Sequence, residues 1–152
     1  MDFEHIAAGL RGAHPFTATV GVELASLAEG SATAVLPAGR ERANQLGEQH
    51  AGALFTVADA AAEAAFAGAF AEDMGALTVG AEGAELRLLA PARGEVTARA
   101  ALEGDRVAVL DAVQRGEDVE VAVAVSLRDA DGTEVATLRA RWALREDTPA
   151  AE

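Results

Sequence analysis

A chain of 152 residues, 51% of them hydrophobic, is long enough for one domain with its own core. Its net charge of −13 argues against nucleic acid and anionic membrane surfaces as partners, since both call for a basic face. With no cysteine, neither a disulfide framework nor a cysteine metal site is available.

In chain order, Met1-Asp2-Phe3-Glu4-His5 lacks the basic start and apolar run of a signal peptide, so the expected location is the cytoplasm. Phe3, Ile6, Ala7 and Leu10 stand at helical spacing and predict a short helix, broken at His14-Pro15-Phe16. Thr17–Leu27 reads as a strand, Glu29-Gly30 as a turn and Ser31–Leu36 as the returning strand of a hairpin. Pro37-Ala38-Gly39 ends it, and a polar loop runs to Gln49. Leu77–Leu89 reads as a long strand, with Gly80 and Gly83 marking a bulge or a close backbone approach. Glu95–Leu102 alternates as a strand, and Asp105–Arg115 reads as a short helix stopped by Gly116. Val119–Arg128 and Thr133–Arg145 are strands joined by the turn Asp129-Ala130-Asp131-Gly132. Glu146–Glu152 is a frayed tail. There is no internal repeat or linker, so residues 1–152 are expected to form a single domain.

The chain is organised around the stretch between these hairpin and strand signals, from Asn44 to Phe70. A polar loop carrying the only asparagine feeds a long alanine-rich helix. Alanine is the best helix former, and a helix apolar nearly all round belongs in a core. Asp59 and Glu63 lie four residues apart, hence on one face. These two acids, and the dominance of alanine, argue against reading Ala53–Ala71 as a membrane span. A carboxylate within such a helix is costly unless it is paired, faces a cavity or does chemistry. A sheet of mostly antiparallel strands wrapped around this helix buries it economically, giving an α+β fold.

Asn44, His50-Ala51-Gly52 and Asp59 together resemble a motif of the hotdog-fold acyl-CoA thioesterases, specifically the phenylacetyl-CoA thioesterase-like group. There an asparagine is followed six positions later by His-Gly-Gly, and an acid stands nine positions after the histidine. Asn44, His50 and Asp59 keep both spacings. The resemblance extends over Val20–Leu144, and the Asp105–Arg115 helix resembles a less characterised thioesterase-like branch. Two positions depart from the pattern: Ala51 replaces the first glycine, and Ala81 stands where some relatives carry a hydroxyl that assists the acid. The resemblance implies a hotdog fold of about six antiparallel strands around one long central helix. It also implies a homodimer or homotetramer with its site at the subunit interface. Coenzyme A enters as part of the substrate, and neither a cofactor nor a metal is expected.

The chemistry follows from the residue types. Free N–H groups of Ala51 and Gly52 at the helix start, with the helix dipole behind them, suit a polarised thioester carbonyl and its developing oxyanion. Asp59 is the candidate general base or nucleophile, with a pKa that burial would raise. His50 is a candidate for orienting the thioester or holding the loop, and Asn44 for fixing the loop or a water. Glu63 is read as a solvated or structural partner at the substrate, Arg93 or Arg87 as a contact for coenzyme A phosphates, and His5 and His14 as incidental. Gly52 and Asp59 lie roughly 10 Å apart along the helix axis. One carbonyl therefore touches both only if the substrate is long or if two subunits share the site. The reading is an acyl-CoA thioesterase. The alternative is a non-catalytic hotdog protein that binds an acyl ligand or serves assembly; a hotdog hydratase ranks below both, because no acid–histidine pair of that type is visible in the sequence.

Overall fold

Small apolar residues alternate with polar ones along Ser31–Leu36, Val96–Leu102 and Val119–Arg128, so one face of each turns to a core. The computed structural model, which describes residues 1–147, builds these stretches into one six-stranded antiparallel sheet in the order β1-β2-β4-β5-β6-β3. The strands are β1 (Glu23–Ala28), β2 (Ser31–Leu36), β3 (Leu77–Leu88), β4 (Val96–Leu102), β5 (Val119–Arg128) and β6 (Glu134–Glu146). The helices are α1 (Phe3–Ala13), α2 (Pro15–Val20), α3 (Ala51–Phe70) and α4 (Arg106–Gln114). The sheet curls around α3, whose Val57, Ala58, Ala61, Ala65 and Phe70 are fully buried. Leu36, Val96, Val123, Leu127 and Leu144 meet them from the strands. This is the hotdog fold. By length and composition α3 could cross a membrane, but here it is the core helix.

Two features set how α3 sits. Gly68 lies directly against the Ala28 carbonyl of β1, where no Cβ fits, so the last turns of the helix approach the sheet at backbone distance. Phe66 then fills the space between Phe70 and Trp142, with ring centroids 5.1 and 4.7 Å away. Arg106 secures the same end: its guanidinium donates to the Ala69 carbonyl at the helix C-terminus and, at 2.6 Å, to Asp73.

The expected strand over Thr17–Leu27 forms only in its second half. Thr17–Val20 belong to α2, because Pro15 stands at the first helical positions with φ already set, and Gly21, at φ 87°, ends the helix. His14-Pro15-Phe16 is therefore a corner between two helices. The bulge expected in β3 is present as a register shift between Ala81 and Gly83. The other elements fall where alternation and turn residues put them, and β6 runs one residue past Arg145. Of the expected tail, Glu146 closes β6, and residues 148–152 lie outside the described residues.

Candidate functional site

The start of α3 is fixed from both sides. Asn44 closes the preceding loop on itself: its Oδ1 accepts from the backbone N–H of Leu46 (2.9 Å) and Glu48 (3.1 Å), and its own N–H donates to the Glu48 carbonyl. Buried Gln49 donates its side-chain amide to the Pro37 carbonyl after β2 (3.1 Å) and the Gly94 carbonyl before β4 (2.9 Å). Its backbone N–H reaches the Ala92 carbonyl, and that of His50 reaches Arg42. The helix start is thus tied to the ends of two neighbouring strands.

His50 is the N-cap. Its Nδ1 accepts from the Gly52 N–H at 2.8 Å, which in a neutral imidazole leaves the proton on Nε2. The N–H groups of Ala53 and Leu54 go to the His50 carbonyl. The expectation of free donors at both Ala51 and Gly52 therefore holds only at Ala51. Among the described residues, its N–H alone in this first turn has no protein acceptor. It sits at a shallow recess of about 360 Å³ bordered by Asn44, Gln49, Leu54, Leu88 and Pro91.

Two turns on, Asp59 and Glu63 line a separate recess of about 360 Å³, closed by the α1–α2 corner and by Phe16, Phe55 and Thr56. His14, read from the sequence as incidental, stands here with its Nε2 3.3 Å from Glu63 Oε2. Burial pushes the Asp59 carboxyl above its ordinary range, and the positive charge of His14 opposes this. Glu63 is raised by burial first and by the Asp59 charge second, again with His14 opposing. Glu63 is thus a paired, half-buried group rather than a solvated one. Two carboxylates four residues apart, both pushed toward protonation and with an imidazole against one of them, form a group suited to holding and passing a proton. No group of three His, Asp or Glu side chains among the described residues is placed to hold a metal.

The two recesses share no lining residue, as a separation of roughly 10 Å along one helix dictates. Arg93 lies beside the Ala51 recess in sequence but lines neither; its backbone N–H donates to Asp129. Arg87 is on β3, paired with Glu85. From the sequence His14 reads as incidental, and nothing singles out Thr17 or Gln49. His14 and Thr17 reach Asp59 only through the α1–α2 turn, and the one local signal was Pro15.

A family model described as a domain of unknown function, DUF4442, matches residues 4–144. The chain belongs to the DUF4442 family. No curated protein sequence matches it. Among solved structures, a Pseudomonas aeruginosa protein of unknown function, described as a probable thioesterase, superposes with a TM-score of 0.83 at 27% identity, over 97% of each chain. A thioesterase family protein from Silicibacter pomeroyi gives 0.75 at 20% identity, over 95% of this chain and 99% of that one. The E. coli PaaI protein from the phenylacetic acid degradation operon gives 0.67 at 18% identity, over 92% and 96%. This DUF4442 chain therefore carries the fold of the hotdog thioesterase superfamily.

Proposed function

We propose that this DUF4442 protein hydrolyses acyl-CoA thioesters at a site shared by two subunits, with the Ala51 N–H of one and Asp59 of the other. The observation that carries the reading is the uncommitted Ala51 donor at the start of a buried helix that also holds a half-buried aspartate. The thioesterase likeness of the structural neighbours supports it.

In the reaction, the thioester carbonyl oxygen accepts from Ala51 N–H, aided by the helix dipole. Asp59 either takes a proton from the attacking water or attacks the carbonyl carbon itself to form an anhydride that water then cleaves. The tetrahedral oxyanion is held by the same N–H, the C–S bond breaks, and coenzyme A leaves as a thiolate that takes up a proton. Its pKa near the ordinary thiol range makes that departure easy. Asn44 and His50 position the loop and the cap, and Gly52 leaves the approach open. Arg93, on the loop beside the recess, is the residue assigned to the coenzyme A phosphates.

A mixing experiment tests the shared site. Ala51→Pro removes the donor, and proline is accommodated at the first helical position after an extended His50 (φ −65°, ψ 140°). Asp59→Asn removes the base. Each alone is expected to lose at least about 10²-fold in turnover. Mixed and re-equilibrated, the two regain activity, because each heterodimer holds one intact site. If mixing restores nothing, the site lies within one subunit. If both folded variants keep wild-type turnover on a panel of acyl-CoAs, Ala51 and Asp59 are not the catalytic groups; if the wild type turns over none, the protein is a non-catalytic acyl-ligand binder.

A further inference from the structure

The recess at Asp59 has a neighbour. An apolar cavity of about 90 Å³ lies between α1, α2, β1 and α3. Leu10, Val22, Leu24 and Ala34 form its walls, and Ala60 and Ala64 its floor on the core helix. His14, Thr17 and Glu63 line this cavity and the Asp59 recess alike, so the His14–Glu63 pair is the partition between them.

Several observations separate this cavity from a packing fault. Protein interiors are close-packed, and voids larger than a water are few. Here α3 places alanines at 60 and 64, on the turns that follow Asp59, where any longer apolar side chain would fill the space. The wall opposite α3 is made by two short helices resting on the fold, held by bonds such as Arg11 to the Leu24 carbonyl (3.1 Å) and Arg42 to the Val20 carbonyl (3.2 Å). The cavity thus has an apolar interior, a polar partition, and a candidate catalytic carboxylate on the far side of that partition.

Resting on the thioesterase reading above, we infer that this cavity is the acyl subsite, and that it takes a short aliphatic chain whose carbonyl lies at the Asp59 recess. Size decides the class. A closed apolar cavity of about 150 Å³ is what accommodates benzene, and this one is smaller. An aryl group is therefore disfavoured and a flexible chain of a few carbons suits it. The aliphatic walls favour a hydrocarbon chain over a hydroxylated or charged acyl end, and the polar side chains on the lining are Arg11, His14, Thr17 and Glu63.

The test uses S-alkyl thioethers of coenzyme A, which cannot be hydrolysed, from ethyl to decyl, with S-phenethyl-coenzyme A as the aryl arm. Affinity is read by calorimetry on the wild type and on two variants that fill the cavity. Ala60→Leu fills it from the half-buried floor and Ala18→Leu from the exposed face of α2, where folding is not at risk. In the wild type, affinity is expected to rise about fourfold per methylene from ethyl to butyl and to stop rising for longer chains, with phenethyl weaker than butyl. Each leucine variant loses at least tenfold for butyl and less than twofold for ethyl. A folded Ala18→Leu with the wild-type chain-length profile overturns the assignment. So does a wild type that binds no thioether, shows no dependence on chain length, or prefers phenethyl. Preserved thioether selectivity without turnover of the matching acyl-CoAs keeps the subsite and removes the hydrolase reading. Turnover with a flat chain-length profile does the reverse.

Discussion

Asp59 is destabilising where it stands, and the sign of its effect can be worked out. Its folded-state pKa lies above the ordinary 3.8 because burial disfavours the charge. Between those two values the folded chain binds more protons than the unfolded one, so stability is full in acid and is lost as pH rises through the folded pKa. Asp59→Asn, nearly the same shape without the charge, is therefore expected to melt above the wild type at pH 8. The gap should close as the pH falls below about 4; thermal melts across that range check it, and a gap that widens in acid contradicts the assignment. The same site gives a kinetic sign. His14 lowers the Asp59 pKa, so His14→Gln should move the acid limb of the pH–rate profile to higher pH. Of this cluster, the two carboxylates were legible in the sequence, because acids at i and i+4 in an alanine helix stand out. His14 was not. Its meeting with Glu63 is made by a helix corner, and no spacing in the sequence encodes it.

At the scale of the element, α3 is a helix whose packing overrides its propensity. Gly68 is the clear case. Alanine there would improve helix propensity by about 1 kcal/mol, and half the surrounding helix is already alanine. Yet its Cβ would meet the Ala28 carbonyl, backbone at the end of β1 that must shift to admit it. Overpacking of this kind costs about 1–3 kcal/mol, so the packing term is expected to win. Gly68→Ala should melt about 2–8 °C below the wild type, and a rise would show that β1 yields. The helix itself, its strands and most turns could be read from composition and alternation. The error at Thr17–Leu27 has a physical cause: four residues alternating apolar and polar do not distinguish a strand from the start of a helix, and Pro15, which reads equally as breaker or initiator, decided it.

For the whole molecule, the sheet has an unprotected side. β3 is 12 residues long, lies at the edge beyond β6, and is exposed over most of its length. Leu88 and Leu89, at its end, are 58% and 54% exposed beside the Ala51 recess, with Leu46 at 72%. A long edge strand with apolar side chains at one end is a template for pairing, and an isologous pairing of two copies would cover it. Light scattering at micromolar concentration is expected to give the mass of two or four protomers; a monomer would remove the shared site. The expectation of an assembly rests on the edges and the one helix face that a single six-stranded sheet leaves in need of cover. The sequence did not convey that β3 is an edge strand, because edge position depends on the strand order, which places β3 after β6 rather than beside β2 or β4.

The Gln49 side chain, which holds Pro37 and Gly94 together, bears on how the family can vary in length. The donor at Ala51 is placed by the spacing of two adjacent strand ends as much as by the helix it begins. The segments from Pro37 to Gln49 and from Leu88 to Val96 are consequently one ruler, and an inserted or deleted residue in either displaces the first turn of α3 from its partners. The exposed turn at Gly116–Glu117 carries no such constraint. Extra residues there leave the helix start where it is, so divergence in chain length among family members belongs at that end of the molecule, away from Ala51.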